Sequence, residues 1–192
     1  MSEIELENSL EDQLLIAMPQ LADPYFANTV TYLCRHTREG ALGIVVNKPL
    51  SISVADIFED LDIVCSVDDN PFKNKLVLAG GPVERDKGFV IHDAENDGRS
   101  FIRIGDRLKL STSKELLTDI ASGNGPDRYL IALGCAGWDA GQLEKEISEN
   151  AWLTAPASAE LVFSENFEHK AVQAVAQLGV EFSHLSPTAG HS

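Results

Sequence analysis

The segment GCAGWDAGQLEKEISENAWL, residues 134–153, decides how one strand of this chain is joined to the helix that follows it. It comes after the apolar run YLIAL at residues 129–133, which has the length and composition of a buried strand. Leu143 and Ile147 are four residues apart and predict the core-facing stripe of a short helix. Asp139 is the predicted N-cap of that helix. The segment therefore predicts a strand-to-helix corner.

The side chains around this helix make the corner the first candidate for a functional surface. Gln142 and Glu146 lie one helical turn apart. This amide–carboxylate pair either binds a polar ligand or caps and supports the helix, with Gln142 reaching back as in a capping box. Trp138 and Trp152 bracket the helix, and each indole N–H needs an acceptor if it is buried. Gly137 is expected to allow a conformation or a close approach that a side chain would block.

Cys135 lies between the strand and helix patterns, where a nucleophile elbow would place its nucleophile. Such an elbow needs glycine two residues before and two residues after the nucleophile. Gly137 fits the second position, but Leu133 occupies the first. A buried thiol that packs as a small apolar side chain is therefore favoured. The other cysteines, Cys34 and Cys65, are distant in sequence, so the spacing predicts neither a disulfide scaffold nor a metal site.

The rest of the chain alternates short strand patterns with a few helix patterns. Strands are predicted at residues 13–19, 28–37, 41–49, 76–83, 88–93, 101–104 and 108–111, and the second and third of these read as a hairpin. Helices are predicted after a Ser51 or Ser53 cap, after a Thr112–Glu115 capping box, and over residues 165–178. Strands outnumber helices, which favours an α+β domain with a mixed sheet.

Composition and charge limit the classes of function. The chain has 192 residues, 30 acidic and 15 basic, and a formal net charge of −15. We expect a flexible acidic leader over residues 1–12, one domain over residues 13–185 and a tail over residues 186–192. Nucleic-acid binding depends on neutralising phosphates, so this charge balance opposes it. No apolar run approaches the ~20 residues that cross a bilayer, and the acidic start is unlike a secretory signal, so a cytoplasmic protein without a membrane partner is predicted.

Five further residues are candidates for a binding surface. Asp23 and Asn47 stand near prolines and are expected either to form turns or to line a polar pocket beside the corner. The pair at residues 80–81 lacks the spacing of a phosphate-binding loop and is interpreted as a turn or bulge. His92 lies in a strand pattern, and the sequence supplies no carboxylate and nucleophile with which it would act as a base.

Five motifs, in this order, make the chain resemble the bacterial AlgH/YqgE family: LIAMPQLADPYFANTVTYL, GALGIVVNKP, GGPVERDKGFVIH, STSKELL and GCAGWDAGQLEKEISENAWL. The resemblance runs from Leu14 to the terminal TAGHS. It implies a compact single domain whose branched β-sheet includes a small barrel, with helices packed around it. In the family pattern the position of Cys135 is often an aromatic residue. The resemblance also implies a cytosolic regulatory protein: family members are described as cytosolic, are sometimes labelled transcriptional regulators, and in one lineage are linked to exopolysaccharide control.

Three functions remain open. The leading hypothesis is a non-catalytic regulatory or interaction protein that presents the corner at residues 137–152 to a protein or small-molecule partner, without cofactor or metal. The second is an enzyme or small-molecule sensor with a pocket near Gly80, His92 and Trp138. The third is a DNA-binding regulator, which the charge opposes. The full candidate surface comprises Asp23, Asn47, Gly80, Gly81, His92, Gly137, Trp138, Gln142, Glu146 and Trp152.

Overall fold

The computed structural model describes residues 7–95 and 101–185. Within these ranges the chain forms ten strands: β1 Gln13–Ala17, β2 Val30–Thr37, β3 Gly40–Val45, β4 Pro49–Ser53, β5 Leu76–Ala79, β6 Val83–His92, β7 Ile102–Ile104, β8 Leu108–Ser111, β9 Tyr129–Asp139 and β10 Trp152–Pro156. The α-helices are α1 Val54–Asp60, α2 Lys114–Ala121, α3 Gln142–Ser148, α4 Ala159–Phe163 and α5 Lys170–Ala176. Short 3-10 helices lie at Pro71–Lys73, Phe167–His169 and Phe182–Leu185.

The long strand β9 is the point at which the sheet branches. The main strand order is β10-β1-β2-β3-β9-β6-β8-β7. Residues 136–139 of β9 pair antiparallel with β3, and residues 129–133 pair antiparallel with β6. Strand β5 runs parallel to the middle of β9 and pairs antiparallel with β4. Three strands therefore share β9, and the last residues of β9 lead directly to the corner.

The branched sheet curls into a half-barrel. Strand β7, at one end of the strand order, packs near β2, and the Gly105 N–H donates to the Glu11 Oε1 at 3.2 Å. The concave side is filled by buried side chains from several strands, such as Ile16, Tyr32, Ile44, Phe89 and Leu110. The predicted α+β class, with one domain and a branched mixed sheet that includes a small barrel, is confirmed, and the barrel has the form of this half-barrel.

The helices cover the sheet in separate places. Val90 and Ile91 are neighbours on β6 but belong to different clusters, because successive strand residues point to opposite faces. Ile91 belongs to the half-barrel core, while Val90 packs with Phe58 of α1 and Ile120 of α2. A third cluster lies under α3 and contains both tryptophans. None of the helices in the described ranges is long and apolar enough to span a membrane.

Glycines allow two backbone segments to touch at the branch. A methyl group added at Gly81 would overlap the carbonyl group of Cys135, and one added at Gly80 would overlap the carbonyl oxygen of Gly134. Gly134 has a φ of 79° and faces the carbonyl oxygen of Gly81 in the same way. The pair at residues 80–81 is therefore a crossing point of two backbones and not a phosphate-binding loop. The interpretation of these residues as a structural turn or bulge agrees with this geometry.

Two predicted helix starts are wrong. Strand β9 continues through Asp139 because its last residues are still paired with β3, so the N-cap of α3 is Gly141. The Gln142 Oε1 nevertheless accepts the backbone N–H of Asp139 at 2.9 Å, as the capping-box prediction required. In α2 the cap is Ser113, whose hydroxyl accepts a first-turn N–H, and not Thr112. Of the two caps predicted for α1, Ser51 and Ser53, the cap is Ser53, with a capping box closed by Asp56.

Two strands were not predicted from the sequence. Strand β4 begins at Pro49, where the hairpin was expected to end, and β10 begins at Trp152. Residues 161–163, an apolar segment of unassigned type, lie in α4. The single strand predicted over residues 76–83 is divided at the glycine crossing between β5 and β6. The extra strands are edges or short pairs, which carry too few residues for a clear alternating pattern.

The acidic leader expected over residues 1–12 lies partly within the described residues. Residues 9–12 are attached to the domain: the Leu10 N–H donates to His36 Nδ1 at 3.0 Å, and the Asp12 Oδ1 accepts the buried Tyr32 hydroxyl at 2.6 Å. Residues 9–12 of the expected leader therefore supply partners to buried polar groups of β2. Residues 1–6 and the predicted tail at residues 186–192 lie outside the described residues.

Candidate functional site

The centre of the corner is the carboxylate of Glu146, on α3. Its Oε2 accepts the indole N–H of Trp138 at 2.9 Å and that of Trp152 at 2.8 Å. Its Oε1 accepts the side-chain amide of Gln142 at 2.9 Å. The predicted need for an indole acceptor is thus met for both tryptophans by one residue. A carboxylate that already accepts three N–H groups is committed to structure, because few of its lone pairs remain for a substrate.

Three aromatic rings pack together beneath this carboxylate. Trp138 and Trp152 are 6% and 4% exposed, and their ring centroids are 6.0 Å apart in an edge-to-face arrangement. Phe26 stacks on Trp138 at 6.3 Å and meets Trp152 edge to face at 5.5 Å. Such contacts add to the stability that burial of the rings already provides. The rings therefore join the end of β9, the start of β10 and the loop that carries Phe26.

Asp23 shapes the loop that delivers Phe26. Its Oδ1 accepts the backbone N–H of Tyr25 at 2.8 Å and that of Phe26 at 3.1 Å. This is the turn-forming role expected of an aspartate before a proline. Asp23 is exposed, but its oxygen is directed to its own backbone. The residue thus belongs to the face of the corner without lining a polar pocket with Gln142.

Asn47 has an equivalent role on the neighbouring connection. Its Oδ1 accepts the Val30 N–H at 2.8 Å, and its amide donates to the Asn28 carbonyl oxygen at 2.9 Å. The adjacent Lys48 donates to the carbonyl oxygen of Tyr25 and lies 5.0 Å from the centre of the Tyr25 ring. These contacts tie the β3–β4 connection to the aromatic loop. The alternative of a polar pocket shared by Asp23, Asn47 and the corner is not formed.

A buried histidine that the sequence did not single out also supports the corner. His36 is 3% exposed, and its Nδ1 accepts the Leu10 N–H. The other ring nitrogen therefore carries the hydrogen in the neutral ring, and Nε2 donates to Glu144 Oε1 at 2.9 Å. This bond attaches α3 to β2. No local signal in the sequence links the two residues, which are 108 positions apart.

Two other predicted site residues, Gly137 and His92, do not lie together. Gly137 is exposed, and a methyl group added there would meet nothing within 4 Å, so the expected close approach is wrong. His92 lies opposite Tyr129, at the far end of β9 from Trp138. Nine residues of extended strand separate Tyr129 from Trp138, which corresponds to roughly 30 Å. The predicted pocket near Gly80, His92 and Trp138 is therefore not assembled.

The cysteines do not form a reactive site in the described residues. Cys135 is inside β9 and 3% exposed, so it does not stand on a turn between strand and helix. Burial raises the pKa of its thiol, which disfavours the nucleophilic thiolate. Cys34, Cys65 and Cys135 are all free thiols. Within the described ranges, no group of three or more His, Cys, Asp or Glu side chains is arranged to hold a metal ion.

One lysine, Lys170, is buried, and the two residues next to it in the chain line an open cleft of about 880 Å³. Lys170 is 0% exposed and donates to the carbonyl oxygens of Val46 at 2.8 Å and Val162 at 3.0 Å. Burial lowers its pKa to about 8, and the charge of Glu165 opposes this shift. A neutral amine has two N–H groups, which match the two carbonyl acceptors. The residue therefore joins α5 to α4 and to the residue that follows β3.

We expect Lys170 to make stability increase with pH. Above pH ~8 the folded protein releases the Lys170 proton, while the unfolded chain holds it up to about pH 10.4, so the unfolded state binds more protons in this window. The free energy of unfolding of the wild type, minus that of Lys170→Met, should rise by about 2 kcal/mol between about pH 7.5 and 9.5. Urea denaturation of both proteins at several pH values measures this difference. A flat difference would show that the buried amine stays charged.

The carboxylate of Glu146 yields a second prediction. In Glu146→Gln, the new side-chain carbonyl oxygen accepts the two indole N–H groups. The new NH₂ group then faces the side-chain NH₂ group of Gln142, so two hydrogen-bond donors oppose each other. If the Gln142 amide rotated by 180°, its NH₂ group would face the backbone N–H of Asp139, which is also a donor. The donor left unpaired is exposed to solvent, but the two buried indole N–H groups then donate to a neutral oxygen and no longer to a charged one, so the free energy of unfolding should fall by about 1–3 kcal/mol. The control is Glu149→Gln, which removes an exposed charge at the C-cap of the same helix and should change stability by under ~0.5 kcal/mol.

Urea denaturation followed by tryptophan fluorescence measures this effect, since both tryptophans of the chain contact Glu146. Equal stability of Glu146→Gln and Glu149→Gln would contradict the shared-acceptor geometry.

Comparisons with known proteins agree over nearly the whole chain. The AlgH-like family model matches residues 14–183. A UPF0301 protein of Alcanivorax borkumensis is 49% identical over 187 residues, which are 97% of this chain and 98% of that protein. A UPF0301 protein of Xanthomonas oryzae pv. oryzae is 42% identical over 187 residues, with the same coverage of each chain, 97% and 98%.

Two solved structures have the same fold. The solution structure of the AlgH protein from Pseudomonas aeruginosa covers 100% of both chains, with 42% identity and a TM-score of 0.78. The crystal structure of protein DIP2367 from Corynebacterium diphtheriae covers 83% of this chain and 81% of that one, with 18% identity and a TM-score of 0.60, and so supports the fold alone. The family match, the identities and the shared fold together show that this chain belongs to the AlgH-like family of bacterial proteins.

Proposed function

We propose that this chain is a non-catalytic regulatory protein of the cytoplasm that binds a protein partner through the outer face of the corner. The observation that carries the proposal is the Glu146 carboxylate, which is occupied by three N–H donors from its own chain. The polar groups that converge here stabilise the corner and are not directed at a ligand. What the corner offers to other molecules is therefore its exposed outer surface, held in one rigid shape.

The outer surface has the chemistry of a protein-binding face. Asp139, Ala140 and Gln142 are exposed at the turn between β9 and α3. The exposed charges on α3 and at its C-cap are the acidic Glu144 and Glu149 and one basic residue, Lys145. The acidic excess suits a partner with a basic surface, because complementary charges accelerate association and discriminate between partners. The aromatic cluster holds this surface rigid, so less conformational entropy is lost when a partner binds.

A regulator of this kind acts through another protein and not through DNA. With a net charge of −15, the chain should show no sequence-specific duplex binding at about 150 mM salt. Fluorescence anisotropy with duplex fragments from the native genome measures this. A specific Kd near the 10⁻⁸ M typical of DNA-binding regulators would contradict the proposal.

Co-purification from the native bacterium tests the proposed face. The wild type is compared with Ala140→Arg, which places a bulky cation on the turn, and with Gln173→Arg, the same charge change at an exposed position of α5. We expect the wild type and Gln173→Arg to retain the same partner and Ala140→Arg to lose it, with equal melting temperatures. If Ala140→Arg retained the partner, the outer face of the corner would not be the binding surface.

A further inference from the structure

A second, independent feature is a groove of about 520 Å³ on the side of the sheet that carries α1 and α2. It is bounded by α1, by the start of α2 and by an irregular part of β6. This volume is within the range of small-molecule sites. The groove shares no hydrogen bond with the Glu146 network, and the inference drawn from it does not rest on the proposed function.

The irregular part of β6 is a large bulge. Val83 is opposite Cys135 and Gly88 is opposite Leu133, so residues 84–87 face the single residue Gly134 on β9. Glu84 in this bulge has a φ of 48°, in the left-handed region that non-glycine residues rarely adopt. Bulges of this kind redirect side chains and are common beside functional sites. Here the bulge places Arg85 and Lys87 at the edge of the groove.

The floor of the groove is aliphatic. Its apolar lining residues come from α1, α2, β6 and β9: Ile57, Leu61, Val90, Leu117, Ile131 and Leu133. Leu61 is 36% exposed at the mouth, while Val90 and Ile131 are 2% and 1% exposed at the base. None of the described residues that line the groove is aromatic. The floor therefore suits a flexible hydrocarbon chain better than a nucleobase, which would need a ring to stack on.

The rim of the groove is cationic in an otherwise acidic protein. Arg85, Lys87 and Lys114 line it together with the acidic Asp60 and Asp86. The chain as a whole has twice as many acidic as basic residues, 30 against 15. Lys87 forms an exposed ion pair with Glu84, at 3.5 Å, and its Nζ lies 5.5 Å from the centre of the Phe89 ring. Contacts of both kinds contribute little at exposed sites. The charges of Lys87 and Lys114 are therefore available to an anion above an apolar floor.

We propose that this groove binds a small amphipathic anion, a carboxylate with an unbranched aliphatic tail. The tail lies on the aliphatic floor between α1 and α2, and the carboxylate lies at the rim between Lys87 and Lys114. Burial of the tail supplies most of the affinity. The lysines select the charged headgroup over a neutral one. Asp86 opposes binding because it adds a like charge at the same rim.

Isothermal titration of the full-length protein with decanoate tests the proposal, with decanol and inorganic phosphate as probes of tail and charge alone. We expect decanoate to bind, decanol to bind at least about tenfold more weakly, and phosphate to show no binding, since charged hydrogen bonds contribute about 1.5–3 kcal/mol. Equal affinities for decanoate and decanol would show that the lysines do not recognise the carboxylate. If phosphate bound as tightly as decanoate, the aliphatic floor would not contribute to the affinity. Absence of decanoate binding would overturn the site.

Variants locate the binding in the groove. Lys114→Gln should weaken decanoate binding by about tenfold, Leu61→Asp should abolish it by placing a carboxylate at the mouth, and Asp86→Asn should strengthen it. The matched control is Lys145→Gln, the same charge change on α3, where the side chain is 74% exposed. Melting temperatures confirm that each variant is folded. An equal loss of affinity in Lys114→Gln and Lys145→Gln would show a nonspecific charge effect and contradict the assignment.

Discussion

Replacement of Trp138 by alanine is expected to lower the free energy of unfolding by about 3–5 kcal/mol, the cost of emptying a large aromatic site in a core. Trp138 is 6% exposed and contacts Phe26, Trp152 and Glu146. Its removal leaves a cavity between β9 and the loop that carries Phe26. Urea denaturation monitored by far-ultraviolet circular dichroism measures the change, because fluorescence would then report on Trp152 alone.

Two variants divide this effect into its parts. Trp138→Phe keeps a ring in the site but removes the N–H, so it should cost less than the alanine variant. Cys135→Ala, at a buried position of the same strand, removes one atom and should cost far less than Trp138→Ala. A loss below about 1 kcal/mol for Trp138→Ala would mean that the aromatic cluster is not a core, contrary to its burial.

Replacement of Gly81 by alanine is expected to cost at least about 3 kcal/mol or to prevent folding. The added methyl group would overlap the carbonyl group of Cys135, and backbone atoms of a paired strand cannot move aside as a flexible side chain would. Relief of the overlap would separate β5 and β6 from β9 at the branch of the sheet. Circular dichroism and urea denaturation measure the outcome.

Gly137→Ala is the matched control, on the strand that Gly81 touches. A methyl group added there meets nothing within 4 Å, so the change should alter stability by under ~0.5 kcal/mol. If both glycine variants were equally stable, the backbone crossing at the branch would be wrong.

Local patterns in the sequence were sufficient to predict elements whose signal is carried by neighbouring residues. The periodicity of Leu143 and Ile147 predicted α3, and Ser53 predicted the start of α1, since both signals act within one or two helical turns. The requirement for an indole acceptor near Trp138 and Trp152 was also predictable, because a buried N–H needs a partner. These are short-range or single-residue rules.

The features that escaped prediction depend on contacts between distant parts of the chain. Gly134 and Gly137 look alike in the sequence, but only Gly134 has a positive φ and meets another backbone. Lys170 lies inside the helix pattern of residues 165–178, and only its contacts with the segment after β3 and with α4 make it a buried residue. Asp139 has the properties of an N-cap, yet pairing with β3 keeps it in the strand. Tertiary contacts decided each case.

The central claim is that the inner side of the corner is structural and its outer side binds a protein. The most direct measurement is photo-cross-linking in living cells, with a benzophenone amino acid at Ala140 on the outer side of the corner or at Gln173, an exposed position of α5. The account predicts one discrete cross-linked partner from position 140 and none from position 173. Identical products from both positions, or no product from position 140, would contradict it.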